Sequence, residues 1–578
     1  MYETTHIHSR RQFLRNLAIA ASTPLLPPLL PSASAADRLP SFNSLTLEQQ
    51  VGQMVIARPA NWPLMEKYAK QGLISGMTPS LTKLSAAEVA EFTNKFQKLS
   101  PIPLLFGWGG ISYSGGTEVR LGQTMRLGAT RNAELAREAG RIEAAEARAL
   151  GYQFAGAPVL DVNLNPDNTI INLRSISDDA ELVTTLGAAL AQGTIDGGAT
   201  PIFMHFPGHG ATRGDSHIEM PEAARSLAEL EAVELKPFAE LIRRGLGRVI
   251  CTNHCHYPAL ESEKMPATLS RKIVTGLLRE KLGYQGVIMS DSLTMRSIKD
   301  NYGIEEGAVR TVAAGHDLIL QDYNSDPLIT IDALARAVRQ GRIPLAQVER
   351  SLQRVWKLKQ ELGLFEQRLV DPAKIPEVFA TKASAVVARR IARESVTLLE
   401  NNRGILRAEE NRRILVISNG SAATIDEDNA VQHSPTNHHL NEQLRQREPA
   451  AQALILSTAM KPDEIERAFA AVQKADVVVF GLFTRVRAYV EDAIKVAKPY
   501  RELIERTATA GRSIALLNFG NPYVMADLPM PAFSLCTFSD ATDSITAAVA
   551  VLFGELKPQG QLPVRISERY PFGHGLKA

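Results

Sequence analysis

The sequence predicts an α/β protein in two parts: a (β/α)8, TIM-like barrel over residues 41–365 and a C-terminal α/β layered sandwich over 391–578, with 366–390 as a linker. Three observations lead there. Eight short apolar runs recur between residues 52 and 321, many of them separated by amphipathic helical stretches. Acidic and imidazole side chains close several of those runs, which is where a barrel carries its chemistry. Near the end of the barrel region the pattern lapses into charges and prolines, then resumes with four more apolar runs. A chain of 578 residues has room for several cores, since a domain typically takes about 100–200 residues.

The N-terminus stands apart from both parts. Ser9-Arg10-Arg11-Gln12-Phe13-Leu14 precedes a proline-broken apolar run from Leu17 to Leu30, and Ala33-Ser34-Ala35 follows as a small-x-small cleavage pattern. That order reads as a twin-arginine export signal over 1–35, the alternative being a stray basic tail. The run is too short and too broken to remain as a membrane anchor, and no cysteine follows the cleavage site to carry a lipid. Export by the twin-arginine translocase implies a protein that crosses already folded and works in the periplasm or outside the cell. Only Cys251, Cys255 and Cys536 are present, so the fold rests on its cores rather than on disulfides. A net charge of +2 with 45% hydrophobic and 22% charged residues describes a globular chain without the basic stripe that nucleic acid requires.

The barrel runs are GQMVIA (52–57), GLISGM (72–77), PLLFGW (103–108), FAGAPVLDV (154–162), TPIFMHF (200–206), RVICTNH (248–254), GVIMSDSL (286–293) and DLILQ (317–321). Most are near-continuously apolar, as parallel strands buried on both faces must be. Stretches such as AELAREAGRIEAAEARALG (133–151) supply the crossover helices. An open doubly wound sheet is the competing arrangement. The barrel adds a demand, reactive residues at the C-terminal ends of strands, and Asp161, His205, His254 and Asp291 each close or follow a run. In the second part, RRILVISNG (412–420), ADVVVFGLF (475–483), RSIALLNFG (512–520) and AFSLCTF (532–538) indicate another layered sheet. The polar stretch 427–452, with His438-His439, reads as a solvated loop.

Three stretches carry candidate chemistry. Asp291, entered from an apolar run, is either a catalytic carboxylate or the cap of the next helix. In MHFPGHGATRGDSH (204–217), Pro207-Gly208 prevents His205 and His209 from sharing a helix face, which disfavours a two-histidine metal site. Asp215 and His217 lie two residues apart in a glycine-containing loop, so the carboxylate can fix the tautomer of the ring and make it a general acid/base; an ordinary polar turn is the alternative. CTNHCHYP (251–258) suggests zinc but lacks a second separated ligand pair, and reads better as a buried strand entering a polar loop.

HFPGHG and the Asp-Ser-His after it, with APVLDVNLNP (157–166), LRSISDD (173–179), YPALESEKMPATLS (257–270) and GVIMSDSLTM (286–295), resemble glycoside hydrolase family 3 in its β-N-acetylglucosaminidase branch. NPYVMADLP (521–529) and LFGELKPQGQLPV (552–564) are similar to that family's second domain. The resemblance implies retaining hydrolysis of a carbohydrate, with Asp291 as nucleophile and His217, held by Asp215, as acid/base. It also implies Arg174, His205 and Arg120 as sugar-binding positions, with Asp161 and Met204 beside them, and no metal or organic cofactor. Two departures stand out. Met204 occupies a position where the branch has lysine, and GWGGISYSGG (107–116), with Ser112 at the aligned position, lacks the branch's sugar-binding aspartate. Each lost charged hydrogen bond weakens binding by about 1.5–3 kcal/mol. The expected donor therefore carries a bulkier or less polar substituent that Met204 and Trp108 accept, for example a peptidoglycan-derived sugar. The alternatives are another glycoside specificity, transfer to phosphate, or a sugar-binding protein without turnover.

Overall fold

The computed structural model describes residues 42–577 apart from 59–60, 80, 82–83, 108–122, 155–157, 322–324, 403–411, 420–423, 426–430, 433–435, 458–459 and 487–489. The expected signal over 1–35 lies outside the described residues, as do Trp108, Ser112 and Arg120. Among the described residues no helix is long and apolar enough to cross a membrane.

Seven parallel strands make one curled sheet: β1 (Val55–Ala57), β2 (Gly76–Met77), β3 (Leu105–Phe106), β4 (Ile202–Phe206), β5 (Val249–Thr252), β6 (Val287–Ser292) and β7 (Leu318–Leu320). Their order is β3-β2-β1-β7-β6-β5-β4. The apolar run at 154–162 joins the two edges. The Phe154 amide donates to the Phe106 carbonyl of β3, and the Leu160 amide donates to the Met204 carbonyl of β4. Parallel bridges pair Phe154 with Thr200 and Val159 with Met204. An open sheet has no such link between its edges, so all eight runs enter one barrel. Its interior is filled by Ile56, Leu105, Phe154, Val159, Ile202, Met204, Val249, Met289 and Leu318.

Helices wrap this sheet, and local sequence starts them where the barrel needs them. Asn132 and Asp179 cap the helices Ala133–Ala149 and Ala180–Asp196 by accepting from the Leu135 and Leu182 amides. The two helices approach closely through Gly193, where an added Cβ would lie 1.9 Å from the Arg137 carbonyl oxygen. The stretch 366–390 is bound to the barrel. Asn94 and Val370 exchange two hydrogen bonds of 2.8 and 2.9 Å, and the Ala380 amide donates to Glu146 at 3.0 Å. The helix Lys382–Ser395 then leads into the second part.

That part is a six-stranded sheet of β8 (Thr397–Asn401), β9 (Ile414–Asn419), β12 (Gln452–Leu456), β13 (Val477–Leu482), β14 (Ser513–Asn518) and β15 (Phe533–Cys536). A separate hairpin pairs β10 (Thr424–Ile425) with β11 (Val431–Gln432). The sheet order is β12-β9-β13-β14-β15-β8, parallel throughout except for β8, which runs against β15. Apolar clusters cover both faces, giving the layered sandwich. The expected solvated loop around His438-His439 is corrected here. Residues Thr436–Arg447 form a helix, because Leu440 and Leu444 fall one turn apart and are fully buried, and His439 Nε2 meets Thr546 Oγ1 at 3.0 Å.

The loop that follows the fourth run is tied to the sandwich. Asn163 Nδ2 donates to the Tyr523 hydroxyl at 2.7 Å, and Asn172 Nδ2 donates to Asn521 Oδ1 at 3.2 Å. The Arg565 amide donates to Asp178 Oδ2 at 2.6 Å. Tyr523→Phe removes the acceptor of a buried amide, and should cost about 1–3 kcal/mol. A lowered urea midpoint with an unchanged slope is the expected result. An unchanged midpoint would contradict the contribution of this seam to stability.

Candidate active site

The C-terminal ends of the strands place the candidate side chains around one mouth. β4 ends at His205 and Phe206, and the chain returns through Gly208 and Gly210 toward the loop carrying Asp161. Gly210 has no room for a side chain, since a Cβ there would lie 1.8 Å from the Val162 carbonyl oxygen. This close approach lets the His209 amide reach Asp161 Oδ1 at 2.6 Å. The His205 amide donates to the same carboxylate at 3.2 Å, and His205 Nδ1 meets Asp161 Oδ2 at 2.7 Å. Asp161 is completely buried. Burial pushes its carboxyl up, but the His205 imidazole with its hydrogen bond, and then His209, outweigh that and hold it below the ordinary value. Its donors are protein groups, so the structure places Asp161 behind His205 as the anchor of that ring.

Arg174 completes this side. An arginine only donates, so His205 Nε2 accepts from Arg174 Nη2 at 3.3 Å and His205 Nδ1 carries the proton shared with Asp161. Arg174 Nη1 also donates to the Ile170 carbonyl at 3.1 Å. Met204 is buried at 2% exposure in the interior cluster that includes Ile170 and Ile171, so that edge of the mouth is apolar.

Opposite, Asp215 Oδ1 accepts from the His217 amide at 2.9 Å and lies 2.6 Å from His217 Nδ1. Asp215 is buried, with 2% of its side chain exposed, while the His217 side chain is 20% exposed. The carboxylate therefore orients the ring, and the opposite nitrogen, Nε2, faces away from it. The helix Arg296–Ala314 begins just after β6 and catches this loop. The Arg296 amide donates to the His217 carbonyl at 3.3 Å, and Ser297 Oγ donates to the Ser216 carbonyl at 3.2 Å. Loop 215–217 is thereby held beside the end of β6.

Asp291 sits in β6 itself. The helix that follows is capped at Met295 without a side-chain bond, so Asp291 is not its cap. The Ser292 amide donates to Asp291 Oδ1 at 2.7 Å. Burial pushes this carboxyl up, and His205, His254, His217 and the Ser292 N–H outweigh it, leaving Asp291 below the ordinary carboxylate value. Three histidines, from the end of β4, the segment after β5 and loop 215–217, thus lie around one ionised carboxylate. Among the described residues no group of three ligating side chains is arranged for a metal ion. A cavity of about 600 Å³ at the seam is lined by Pro166, Asp167, Asn419, Phe483, Asn521 and Tyr523. It is separate from this cluster.

His209 has no role assigned by the sequence pattern. Its signal was the second imidazole of HFPGHG, and its amide, not its ring, is what Asp161 uses. The ring is buried between Thr212 Oγ1 at 2.6 Å and Ser216 Oγ at 3.1 Å.

A closed parallel barrel with an ionised carboxylate and a carboxylate-oriented imidazole at its C-terminal mouth, followed by an α/β sandwich, has the outline of a two-domain glycoside hydrolase. The chain belongs to glycosyl hydrolase family 3: residues 46–358 match its N-terminal domain and residues 396–575 its C-terminal domain. It is 31% identical to a family 3 β-N-acetylglucosaminidase from Paenibacillus sp. str. FPU-7, with a TM-score of 0.81 over 90% of this chain and 99% of that one. It is 26% identical over 544 residues to β-hexosaminidase A of Pseudoalteromonas piscicida, covering 84% of this chain and 87% of that protein. Over 242 residues it is 36% identical to β-hexosaminidase LpqI of Mycobacterium tuberculosis, covering 40% of this chain and 61% of that protein.

Two buried histidines near this mouth give a stability signature. Burial lowers His209 to about 4 and His316 to about 3 from the ordinary 6.5. Both are neutral in the folded chain and gain a proton more readily once unfolded. The stability they confer is present above the ordinary histidine value and is lost as pH falls toward 4 and 3, by an amount on the order of a few kcal/mol. The melting temperature of His316→Gln should fall less steeply than that of the parent between pH 6.5 and 4. Equal slopes would contradict the assignment.

Proposed function

We propose that this chain hydrolyses terminal β-N-acetylhexosaminides by a two-step, retaining route. In the first step the Asp291 carboxylate attacks the anomeric carbon. The bond to the leaving oxygen breaks, and His217 Nε2 delivers a proton to that oxygen. In the second step neutral His217 takes a proton from water, the water oxygen attacks the anomeric carbon, and the ester bond to Asp291 breaks. Asp215 supports both steps by holding Nδ1, so that Nε2 is the nitrogen that exchanges the proton. A depressed carboxyl suits a nucleophile, which must be ionised at the start of each cycle. Arg174 and His205 hold hydroxyls of the bound sugar, and Arg120 is assigned to the same task from the family pattern alone. No cofactor takes part.

The observation that carries this reading is the pairing of Asp215 with His217 on a loop fastened to the helix after Asp291. The hexosaminidase names of the relatives support the substrate class. The departures at Met204 and Ser112 support a donor whose edge is less polar than plain N-acetylglucosamine, and a peptidoglycan-derived sugar fits an exported enzyme. The paired arginines and the cleavage pattern before residue 36 support export by the twin-arginine translocase and work in the periplasm or beyond.

Turnover of aryl β-N-acetylhexosaminides tests the chemistry. Asp291→Asn should lower kcat/KM by about a thousandfold or more, and His217→Ala by ~10²- to 10⁴-fold on poor leaving groups. NMR of the first-formed product should show the β-anomer. Full turnover by Asp291→Asn, or an inverted product, would overturn the route. Met204→Lys should move the sugar preference toward unsubstituted N-acetylglucosaminides across a panel that includes muramyl sugars and plain glucosides. An unchanged ranking would contradict the role given to Met204.

A further inference from the structure

His254 is fully buried and lies just past β5, in the CTNHCHYP stretch whose cysteines and histidines otherwise have no part in the site. Its Nε2 meets the Ser292 carbonyl at 2.9 Å, and its Nδ1 meets Thr268 Oγ1 at 2.9 Å. A carbonyl only accepts, so Nε2 carries a proton. The contacts continue: Thr268 Oγ1 lies 2.8 Å from Thr252 Oγ1, which lies 2.9 Å from His316 Nε2, and His316 Nδ1 meets the Thr311 carbonyl at 2.9 Å. By the same rule His316 Nδ1 carries a proton, so the Thr252 hydroxyl donates to His316 Nε2. The Thr268 hydroxyl has one proton and three acceptors within reach: His254 Nδ1, Thr252 Oγ1 and the Asn253 carbonyl at 2.7 Å. Burial lowers His254 from its ordinary value, against the pull of Asp291, so the ring is neutral and Nδ1 takes the Thr268 proton.

The place of His254 in the sheet shows what it does. The ladder between β5 and β6 pairs Val249 with Val287 and ends at Thr252 opposite Ser290. On the other side the ladder between β6 and β7 shifts register between Met289 and Ser292. Asp291 and Ser292 therefore lie beyond the last β5 partner, at the point where the β7 pairing is irregular. Ser292 pairs with Leu320 of β7 beyond that shift, but on the β5 side the strand end that carries the carboxylate has no ladder partner. The His254 side chain supplies the missing cross-link from β5 by binding the carbonyl of Ser292. Ser292 is also the residue whose amide aims Asp291 Oδ1.

We propose that His254 is a positioning residue for Asp291. It fixes the Ser292 backbone, and the Thr268 hydroxyl, donating to Nδ1, holds its own tautomer and angle. It touches no reacting atom, and its effect is on the aim of the attacking carboxylate. The inference rests on the reading of Asp291 as the nucleophile. Misaiming a reacting group by about 1 Å costs about a hundredfold in rate, and that cost falls on kcat because sugar binding is left to Arg174 and His205.

The test is steady-state kinetics on the full chain with aryl β-N-acetylhexosaminides, with folding checked by circular dichroism and melting temperature. His254→Ala should lower kcat about a hundredfold with KM within about threefold. His254→Gln, whose side-chain amide can donate to the Ser292 carbonyl, should recover about tenfold of that loss. Thr268→Val should lower kcat less than His254→Ala does, again with KM held, and serves as the readout if His254→Ala does not fold. Asp291→Asn is measured alongside. The inference is overturned if His254→Ala or a folded Thr268→Val keeps the parental kcat, if Gln is no better than Ala, or if the loss falls on KM alone. Those results beside an inactive Asp291→Asn would remove this inference and leave the nucleophile in place. Full turnover by Asp291→Asn would remove both.

Discussion

The constraint on which this site depends is that two carboxylates must stay ionised inside the barrel mouth. An isolated buried carboxylate neutralises rather than accept the cost of leaving water. Asp161 and Asp291 avoid this because each is surrounded by donors that the fold brings from distant parts of the chain. Asp161 receives the amide and imidazole of His205 at the end of β4 and the His209 amide from the turn after it. Asp291 receives the Ser292 amide and lies among the imidazoles of His205, His254 and His217. The same groups that keep these residues charged also fix where they point.

Compensation of this kind needs loops that do not move apart, and the second domain helps to hold them. The loop from Asp161 to Arg174 is attached to the sandwich through Asn163 to Tyr523 and Asn172 to Asn521. The following turn meets the chain near Arg565 through Asp178. Burial pushes the Asp178 carboxyl up to about 6, so this part of the seam includes a carboxylate with little surplus stabilisation. On the other side of the mouth, loop 215–217 is held by the helix that begins after β6. The site is thus assembled from barrel loops, each fixed by a neighbouring element.

Much of this was legible in the sequence, for identifiable reasons. The eight barrel runs were visible because strands buried on both faces are continuously apolar, and each run enters the barrel. The Asp215–His217 pair was visible because its members are two residues apart. β12 escaped notice because it is a half-exposed edge strand with a broken apolar pattern, and β8 because it pairs antiparallel at the other edge after a helix. The helix at 436–447 was hidden by polar residues around its two buried leucines. Least legible were the bonds that set the chemistry. Asp161 and His205 are 44 residues apart, and His254 and Ser292 are 38 apart. Nothing in local pattern links them, and only the register of the closed barrel does. The spacing of Asp291 after an apolar run leaves cap and catalyst equally open, and the start of the next helix at Arg296 removes only the cap.

The proposed retaining route passes through a covalent bond between Asp291 and the anomeric carbon. The most direct measurement is mass spectrometry of proteolytic peptides after incubation with a fluorinated donor that slows the second step. One glycosyl group per chain is expected on the peptide containing Asp291, absent from Asp291→Asn. A label on another side chain, or steady turnover of donor with no label at any time, would contradict it.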